Sequence, residues 1–327
     1  MLTVPQQTIR SGCKINLFLE ITGVRPDGYH ELVTLFYPLS EPFDLMEISP
    51  ATHGVTVLSE RADLCGDKNI ICKAWHTFAA AGGTPPPMQV RLAKGVPDGA
   101  GLGGGSANAA AVLKLLNTAG GAPRFSDTAL AKIAAQVGAD VPFFLHNTPC
   151  LATGIGEKLV PAPLDLSGWH LVLVCPGVQV STPWAYNRWD TLYRSGLHHP
   201  CGQLPAAHAP AACAQLQTTG PDRPVRAETG CAGRKKNTCR SLTTEQQADS
   251  KPVSRALWLF NSFETVVFSA YSELRQHKNT LLAHGASAAL MSGSGSSLFG
   301  LFRDKAQAEA AMLHFCQRSI AVYVHRL

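Results

Sequence analysis

Residues 96–106 read Val96-Pro97-Asp98-Gly99-Ala100-Gly101-Leu102-Gly103-Gly104-Gly105-Ser106 and run directly into the alanine-rich segment 107–116. Five of them are glycines, which leave the backbone N–H groups uncovered by side chains. Where such groups start a helix they lie at the positive end of its dipole, and an anion binds there favourably. A simple turn before a helix needs one or two glycines, so this pattern predicts a loop that binds phosphate groups.

Two better-known glycine loops fit the sequence less well. A P-loop requires a lysine after its last glycine, but Gly104 is followed by Gly105 and Ser106. A dinucleotide-binding loop requires an acidic residue about twenty positions further on, at the end of a second strand. Asp127 has that spacing, but it follows Ser126, a residue typical of a helix start. We therefore favour a phosphate loop of a different class.

The composition is that of a folded globular protein. The chain has 327 residues, 45% hydrophobic and 16% charged, which is enough for two domains with their own cores. No apolar run is long enough to cross a bilayer, and residues 1–7 lack the basic start and apolar centre of a signal peptide. We therefore expect no membrane partner and a cytoplasmic protein, in which scattered single cysteines are free thiols.

The net charge of +5 is carried by residues 191–255. This segment has nine Lys and Arg residues against four Asp and Glu, so the rest of the chain is formally neutral. It is rich in Pro, Ala, Thr, Gln and Gly without a sustained hydrophobic period, and we interpret it as a largely disordered insertion. Its four cysteines and three histidines lack the paired spacing of structural zinc sites.

Hydrophobic periodicity and turn residues predict a mixed α and β protein. Strands at 14–21 and 31–36 form an N-terminal hairpin through the turn Arg25-Pro26-Asp27-Gly28. Further strands are predicted at 45–48, 54–58, 88–92, 150–153 and 170–175, and further helices at 69–80, 126–138, 258–274 and 304–318. A second glycine- and serine-rich loop at 292–297, between two apolar runs, is a candidate for another loop of the same site.

Five motifs follow one another along the chain. They are Lys14-x-Asn16-Leu17, Arg25-Pro26-Asp27-Gly28-Tyr29-His30, the glycine loop, Gly138-Ala139-Asp140-Val141-Pro142-Phe143, and Met291-Ser292-Gly293-Ser294-Gly295. Their order resembles the GHMP kinase superfamily, over residues 8–190 and 257–303. Within it, the pattern is similar to members that phosphorylate a hydroxyl of a CDP-linked methylerythritol in isoprenoid precursor synthesis.

The resemblance implies an α+β, two-domain GHMP kinase fold. Residues 1–160 would form an ATP-binding domain like the second domain of ribosomal protein S5. Residues 161–327 would form a ferredoxin-like domain on the substrate side, with the active site in the cleft between the domains. The 191–255 insertion has no recognised counterpart in this pattern.

The resemblance also implies the catalytic groups. Phosphoryl transfer asks a protein chiefly for positioning and for stabilisation of charge. Asp140 matches the aspartate that accepts the proton of the substrate hydroxyl, and Lys14 matches the lysine that orients it and stabilises the phosphoryl oxygens. The strand period places Asn16 on the same face as Lys14. ATP and a divalent cation, Mg²⁺, are the implied cofactors, with cation ligands that the pattern does not identify.

Recognition of the two ligands is implied by other positions. Tyr29 and His30 match a cytosine-recognising pair, Tyr186 a second stacking aromatic residue, and Asn16 a substrate contact. Asn69 resembles an asparagine that contacts adenine, and Lys94 a lysine near the nucleotide. The loop residues expected to hold ATP are Pro97, Gly99, Ala100, Gly101, Leu102, Gly103, Gly104, Gly105 and Ser106. The Ser106 hydroxyl could hold phosphate or magnesium, or cap the helix.

The chain departs from the family pattern in three places. Gly12-Cys13 precedes the lysine where Pro-Ala is common, Asn108 stands where aspartate is common, and Ser262 replaces an aspartate in the run 261–264. The superfamily also contains kinases for homoserine, mevalonate and galactose, so the fold indicates ATP chemistry more firmly than the acceptor. Another small-molecule kinase of this fold is one alternative. A nucleic-acid-binding protein that uses the basic 191–255 segment, without kinase activity, is the other.

Overall fold

The fold begins with a long antiparallel β-hairpin. The computed structural model describes residues 3–194 and 259–327. Strand β1 (Gln7–Val24) pairs with β2 (His30–Pro50) along most of their length. The predicted turn joins them: Gly28 has a φ of +85°, and the N–H of Arg25 donates to the carbonyl of Tyr29 at 2.7 Å. The centre of β1 is buried without alternation because both faces of this strand are covered.

This hairpin is the centre of a seven-stranded sheet. The order is β3-β4-β2-β1-β8, and β5 pairs with both β2 and β6. The additional strands are β3 (Val55–Leu58), β4 (Met88–Ala93), β5 (Cys150–Gly154), β6 (Lys158–Pro161) and β8 (Phe260–Asn261). Four helices share a hydrophobic core with one face of this sheet. They are α1 (Ile70–Ala80), α2 (Gly104–Thr118), α3 (Asp127–Val137) and α4 (Val141–His146).

A second, four-stranded antiparallel sheet has the order β11-β7-β10-β9. Its strands are β7 (His170–Cys175), β9 (Ala288–Met291), β10 (Leu298–Phe302) and β11 (Ala321–Arg326). The helices around it are α5 (Thr182–Arg194), α6 (Phe263–Ala270), α7 (Ser272–Ala283) and α8 (Lys305–Cys316). The succession of strands and helices, with this strand order, is that of a ferredoxin-like unit.

Three predicted helix starts are confirmed by the side chains that cap them. Asn69 accepts a hydrogen bond from the N–H of Ile71, and Ser126 accepts one from Ala129. Asp304 caps α8 in the same way, through the N–H of Gln307. Each cap satisfies a backbone donor that has no partner within its helix.

The prediction of a single helix over residues 258–274 is wrong. A two-residue strand, β8, comes first, and two helices follow with a break at Tyr271. The side chain of Asn261 holds its segment extended because its amide donates to the carbonyls of Met291 (2.7 Å) and Gly293 (2.8 Å). These partners lie far along the chain, so local periodicity could not reveal them.

Four residues of the predicted 191–255 insertion, Thr191–Arg194, are the last turn of α5. The rest of that segment, with the cysteines and histidines considered for zinc, lies outside the described residues. Within the described part of the chain, no helix is both long and apolar enough to span a membrane. The division at residue 160 stays a prediction, and β8 of the later segment adds a strand to the first sheet.

Candidate active site

The glycine loop opens into a cleft of about 740 Å³. Its walls also come from β1, the hairpin turn, the start of α4, α5 and the second glycine- and serine-rich loop. The cleft therefore brings together all five sequence motifs, although they are up to about 280 residues apart. Pro97, the loop residues 99–106, Lys14, Asn16, Tyr29, His30, Asp140 and Tyr186 all line it.

The backbone of the glycine loop has the form that an anion site requires. Gly99, Gly101 and Gly103 have φ values of +63°, +74° and +72°, a conformation that other residues adopt only with strain. Gly103 precedes α2 and offers no capping side chain, so the first N–H groups of the helix are left for a ligand. Ser106 is the third residue of α2 and lines the cleft. These N–H groups and the helix dipole suit phosphate oxygens.

The second loop supports the first. The hydroxyl of Ser292 donates to the carbonyl of Gly101 at 3.0 Å, and the N–H of Ser297 donates to the carbonyl of Ala100 at 3.1 Å. A Cβ atom on Gly101 would lie 2.0 Å from the carbonyl oxygen of Ser292. The absence of a side chain at position 101 therefore allows the two loops to pack backbone against backbone.

Lys14 and Asp140 face one another across the cleft. The Lys14 ammonium lies 3.7 Å from a carboxylate oxygen of Asp140, and it donates to Asn16 Oδ1 at 2.7 Å and to the Gly101 carbonyl at 3.0 Å. Lys14 is 5% exposed, whereas the Asp140 side chain is 32% exposed. The aspartate can therefore reach a ligand in the cleft, while the lysine is fixed by protein groups.

Burial lowers the pKa of Lys14 from its usual 10.5, and the nearby Asp140 carboxylate acts in the opposite direction. Asn16 is itself fixed, because its amide donates to the Thr34 hydroxyl at 2.7 Å and its backbone N–H donates to Ser292 Oγ at 3.3 Å. Thr34 in turn donates to the Phe18 carbonyl at 2.6 Å. A chain of buried hydrogen bonds thus holds the lysine and its neighbours in one arrangement.

The aromatic residues predicted for base recognition line the same cleft, at the hairpin turn and on α5. Tyr29 is 60% exposed at the hairpin turn. His30 stacks on Tyr186 with ring centroids 4.4 Å apart, and its Nε2 lies 2.7 Å from Asp190 Oδ1. Since an ionised carboxylate only accepts hydrogen bonds, Nε2 carries a hydrogen. Tyr186 also contacts Phe263 edge-on, and burial raises its pKa.

Two predicted nucleotide residues are not brought to the cleft wall. The Asn69 side chain is engaged by the α1 cap and by the carbonyl of Leu64, to which it donates at 2.7 Å. The Lys94 ammonium binds Asp44 at 2.5 Å and Asp98 at 3.2 Å. Asn69 precedes Ile70, which does line the cleft, and Lys94 Nζ lies 3.3 Å from the position of a Cβ atom on Gly104. Both residues are therefore adjacent to the site but have protein partners.

Sequence reasoning gave no role to Thr34, Ser292 or Asp190. Asp190 follows Tyr186 by four residues, and helical spacing would have placed both on one face of α5. Ser292 was part of a quoted motif, but its contact with Gly101 depends on a long-range approach of two loops. Nothing in the sequence around Thr34 indicated its hydrogen bond to Asn16.

The described residues contain no group of three or more His, Cys, Asp and Glu side chains able to hold a metal ion by themselves. Beside the glycine loop, the cleft instead brings together the Asp140 carboxylate, the buried Lys14 cation and a set of backbone donors. The other two carboxylates that line it are paired, Asp98 with Arg61 and Lys94, and Asp190 with His30. The combination of Asp140, Lys14 and backbone donors suits the transfer of a phosphoryl group to a hydroxyl, in which positioning and charge stabilisation dominate. The fold is that of a GHMP kinase, and the cleft suits the chemistry of that class.

Family models agree with this class. A model described as the GHMP kinases N terminal domain matches residues 69–148, and one described as GHMP kinases C terminal matches residues 246–320. The chain belongs to the GHMP kinase family and is an ATP-dependent small-molecule kinase. The predicted two-domain α+β fold is thereby confirmed.

Within the family, the chain is similar to proteins named 4-diphosphocytidyl-2-C-methyl-D-erythritol kinase. The one from Nitratidesulfovibrio vulgaris (strain DP4) is 44% identical over 321 residues, which cover 98% of each chain. The one from Lawsonia intracellularis is 37% identical over 97% of this chain and 95% of its own. A crystal structure of 4-(cytidine 5'-diphospho)-2C-methyl-D-erythritol kinase is 28% identical, with a TM-score of 0.68 over 97% of this chain and 98% of its own.

Solved structures with other acceptors in their names share the fold alone. Homoserine kinase from Cytophaga hutchinsonii is 16% identical with a TM-score of 0.57 over 97% of this chain and 93% of its own. Mevalonate kinase from Methanococcus jannaschii is 10% identical with a TM-score of 0.59 over 99% of each chain.

Proposed function

We propose that this kinase transfers the γ-phosphoryl group of ATP to the 2-hydroxyl of 4-diphosphocytidyl-2-C-methyl-D-erythritol, in isoprenoid precursor synthesis. The observation that carries the proposal is the cleft that joins the Lys14–Asp140 pair, the glycine loop and the aromatic residues at Tyr29 and His30. The similarity over the whole chain to proteins of that name supports the choice of acceptor. The cytoplasmic location stays a prediction.

In the proposed mechanism, Asp140 accepts the proton of the acceptor hydroxyl. The hydroxyl oxygen forms a bond to the γ-phosphorus, the bond from that phosphorus to the β,γ-bridging oxygen breaks, and ADP leaves. Asp140 suits this role because its carboxylate is partly exposed in the cleft, 3.7 Å from a buried ammonium. Lys14 orients the carboxylate and stabilises negative charge on the phosphoryl oxygens.

The glycine loop supplies the ATP site. The backbone N–H groups of residues 99–106 would hold the phosphate oxygens, which is consistent with the positive φ values of three of its glycines. Asn69 and Lys94 would act through the segments that they brace, at the edge of the nucleotide site. Tyr29, His30 and Tyr186 would bind the cytosine ring, by stacking and by hydrogen bonding to the imidazole nitrogen that does not contact Asp190.

Mg²⁺ would enter with ATP. Kinases hold this ion largely through the nucleotide phosphates, so the lack of a three-ligand protein cluster in the described residues agrees with that arrangement. The Ser106 hydroxyl at the start of α2 is an oxygen donor of the kind that Mg²⁺ prefers. When bound, the ion neutralises charge that develops on the phosphates.

The test is ADP release by the purified full chain with Mg-ATP and 4-diphosphocytidyl-2-C-methyl-D-erythritol. Homoserine, mevalonate and galactose serve as parallel acceptors, and Asp140→Asn as the variant. We expect turnover with the cytidyl substrate alone and a loss of on the order of a thousandfold in kcat in the variant, with nucleotide binding retained. Turnover with another acceptor would overturn the substrate proposal, and wild-type rates in Asp140→Asn would overturn the proposed base.

A further inference from the structure

A fully buried carboxylate lies behind the glycine loop, outside the residues that line the cleft. Asp44 in β2 is 0% exposed. Its Oδ1 accepts hydrogen bonds from the backbone N–H groups of Gly95 and Val96, both at 2.9 Å. Its Oδ2 accepts from Lys94 Nζ at 2.5 Å and from Asn108 Nδ2 at 2.8 Å. One carboxylate thus binds the segment that leads into the loop and the helix that leads out of it.

The charge of Asp44 is compensated within the same cluster. Lys94 is 10% exposed, and its ammonium also lies 3.2 Å from a carboxylate oxygen of Asp98, inside the loop. Asp98 in turn forms an ion pair with Arg61. A buried ion needs such partners because desolvation would otherwise exclude it. Lys94 therefore connects the buried aspartate to the first half of the loop.

A contact inside the loop shows how this brace reaches the phosphate site. The side chain of Val96 packs against Gly104, where a Cβ atom would lie 2.8 Å from the valine. Asp44 holds the Val96 N–H, and Gly104 is the first residue of α2. A shift of Val96 would therefore displace the N–H groups that begin the helix.

We propose that Asp44 is a positioning residue for the phosphates of ATP, acting through Val96 and Asn108 to fix both ends of the glycine loop. The inference rests on the nucleotide part of the proposed function and is independent of the acceptor. Asp44 is buried and does not line the cleft, so its removal should weaken nucleotide binding through the loop while leaving the acceptor site in place.

The cluster permits a reciprocal exchange as the test. In Asp44→Asn the new amide lies among the four hydrogen-bond donors that now bind the carboxylate, so the N–H groups of the amide face other donors. Lys94 also loses one of the two anions that it binds. In Asn108→Asp two buried carboxylates would meet where a 2.8 Å hydrogen bond now lies. The double variant restores one acid and one amide, and the carboxylate introduced at position 108 would still accept the hydrogen bond from the Ser11 hydroxyl.

The experiment measures Mg-ADP binding to the full chain by titration calorimetry, without acceptor. We expect each single variant to weaken ADP binding by on the order of tenfold or more. The double variant should bind ADP more tightly than Asn108→Asp and recover part of the loss, because it restores the hydrogen bond between positions 44 and 108 but not the anion beside Lys94. In steady-state assays KM for ATP should rise, while KM for the acceptor stays within about twofold. Ile133→Ala, a buried position in α3, is the control that lowers stability without changing ADP affinity.

Three results would overturn the inference. They are an unchanged ADP affinity in Asp44→Asn, a double variant as weak as the two single losses combined, and a loss of ADP affinity in Ile133→Ala that matches its loss of stability. If Asp44→Asn does not fold, the comparison of Asn108→Asp with the double variant still tests the inference. Tighter ADP binding by the double variant supports it, and equal or weaker binding overturns it. If the wild-type protein binds ADP but does not turn over the cytidyl substrate, the proposed acceptor is wrong and the inference about Asp44 is unaffected.

Discussion

Lys14 carries its charge in a place where water has little access. Its partners are an amide oxygen, a backbone carbonyl and one carboxylate, so a single anion compensates the ammonium. Burial lowers its pKa below the usual 10.5 although Asp140 opposes the shift. A shifted pKa of this kind is typical of residues at functional sites, because burial and a nearby carboxylate both act on the charged form of the lysine.

This lowered pKa predicts the alkaline limit of activity. If the protonated Lys14 is required, kcat/KM should fall as pH rises through a value below 10.5, because deprotonation removes the cation. Lys14→Arg should move this alkaline fall in kcat/KM to higher pH and lower the rate, since a guanidinium stays protonated. Lys158→Arg, at an exposed position on β6, is the matched control and should leave the alkaline fall where it is. The same alkaline fall in the wild-type protein and in both variants would show that another group causes it.

Two glycines of the same loop should respond differently to alanine. A Cβ atom on Gly101 meets the Ser292 carbonyl at 2.0 Å with a φ of +74°, whereas the nearest atom to one on Gly105 is 3.6 Å away. Gly101→Ala should lose more than about 2 kcal/mol of unfolding free energy. Gly105→Ala should lose nothing, or gain about 0.5 kcal/mol, because it replaces a helical glycine. Urea unfolding of both variants checks this, and equal losses would contradict the packing of the two loops.

At the level of elements, α6 and α7 brace the second loop through a buried ion pair. Lys278 Nζ donates to Glu264 Oε2 at 2.6 Å, and Glu264 Oε1 accepts the N–H of Met291 at 2.9 Å. Burial raises the pKa of Glu264, and Lys278 counteracts this shift. The pair therefore anchors the end of β9, from which the loop that contacts Gly101 departs.

Lys278→Met should destabilise the protein by about 3 kcal/mol, because it leaves a buried carboxylate without its cation. The Glu264 pKa then rises further, so the folded variant binds a proton that the unfolded chain releases. The loss should therefore be small at acid pH and grow as pH increases. Denaturant unfolding at several pH values measures it, with Glu264→Gln/Lys278→Met as the control that lacks the charge. A loss that does not depend on pH would argue against an uncompensated carboxylate.

The elements that could be predicted correctly from the sequence are those determined by residues close together in the chain. The caps at Asn69, Ser126 and Asp304 mark helix starts because a side chain and a backbone N–H two or three residues away determine them. The split of 258–274 and the role of Asp44 were missed for the opposite reason. Asn261 and Asp44 bind partners 30 to 64 residues away, and no local pattern encodes such contacts.

At the scale of the whole molecule, the active site depends on both sheets. One buried cluster contains Leu17 and Leu35 of the hairpin together with Leu171 and Phe299 of the second sheet. Strand β8 comes from the later part of the chain and pairs with β1. Such a shared apolar core differs from the small polar interfaces across which domains move freely. The N-terminal hairpin, which carries Lys14, and the second loop are therefore held in a fixed relation.

This shared core predicts that the two sheets unfold together. Calorimetry should show one transition, with equal calorimetric and van't Hoff enthalpies. Mg-ADP at a hundred times its Kd should stabilise the folded state by about 2.7 kcal/mol and move the whole transition upward by several degrees. Leu171→Ala, in the second sheet, should lower the temperature of that same transition, although position 171 is far in sequence from the glycine loop. Two separate transitions, only one of which responds to ADP, would mean that the sheets fold independently and that the nucleotide site belongs to the first sheet alone.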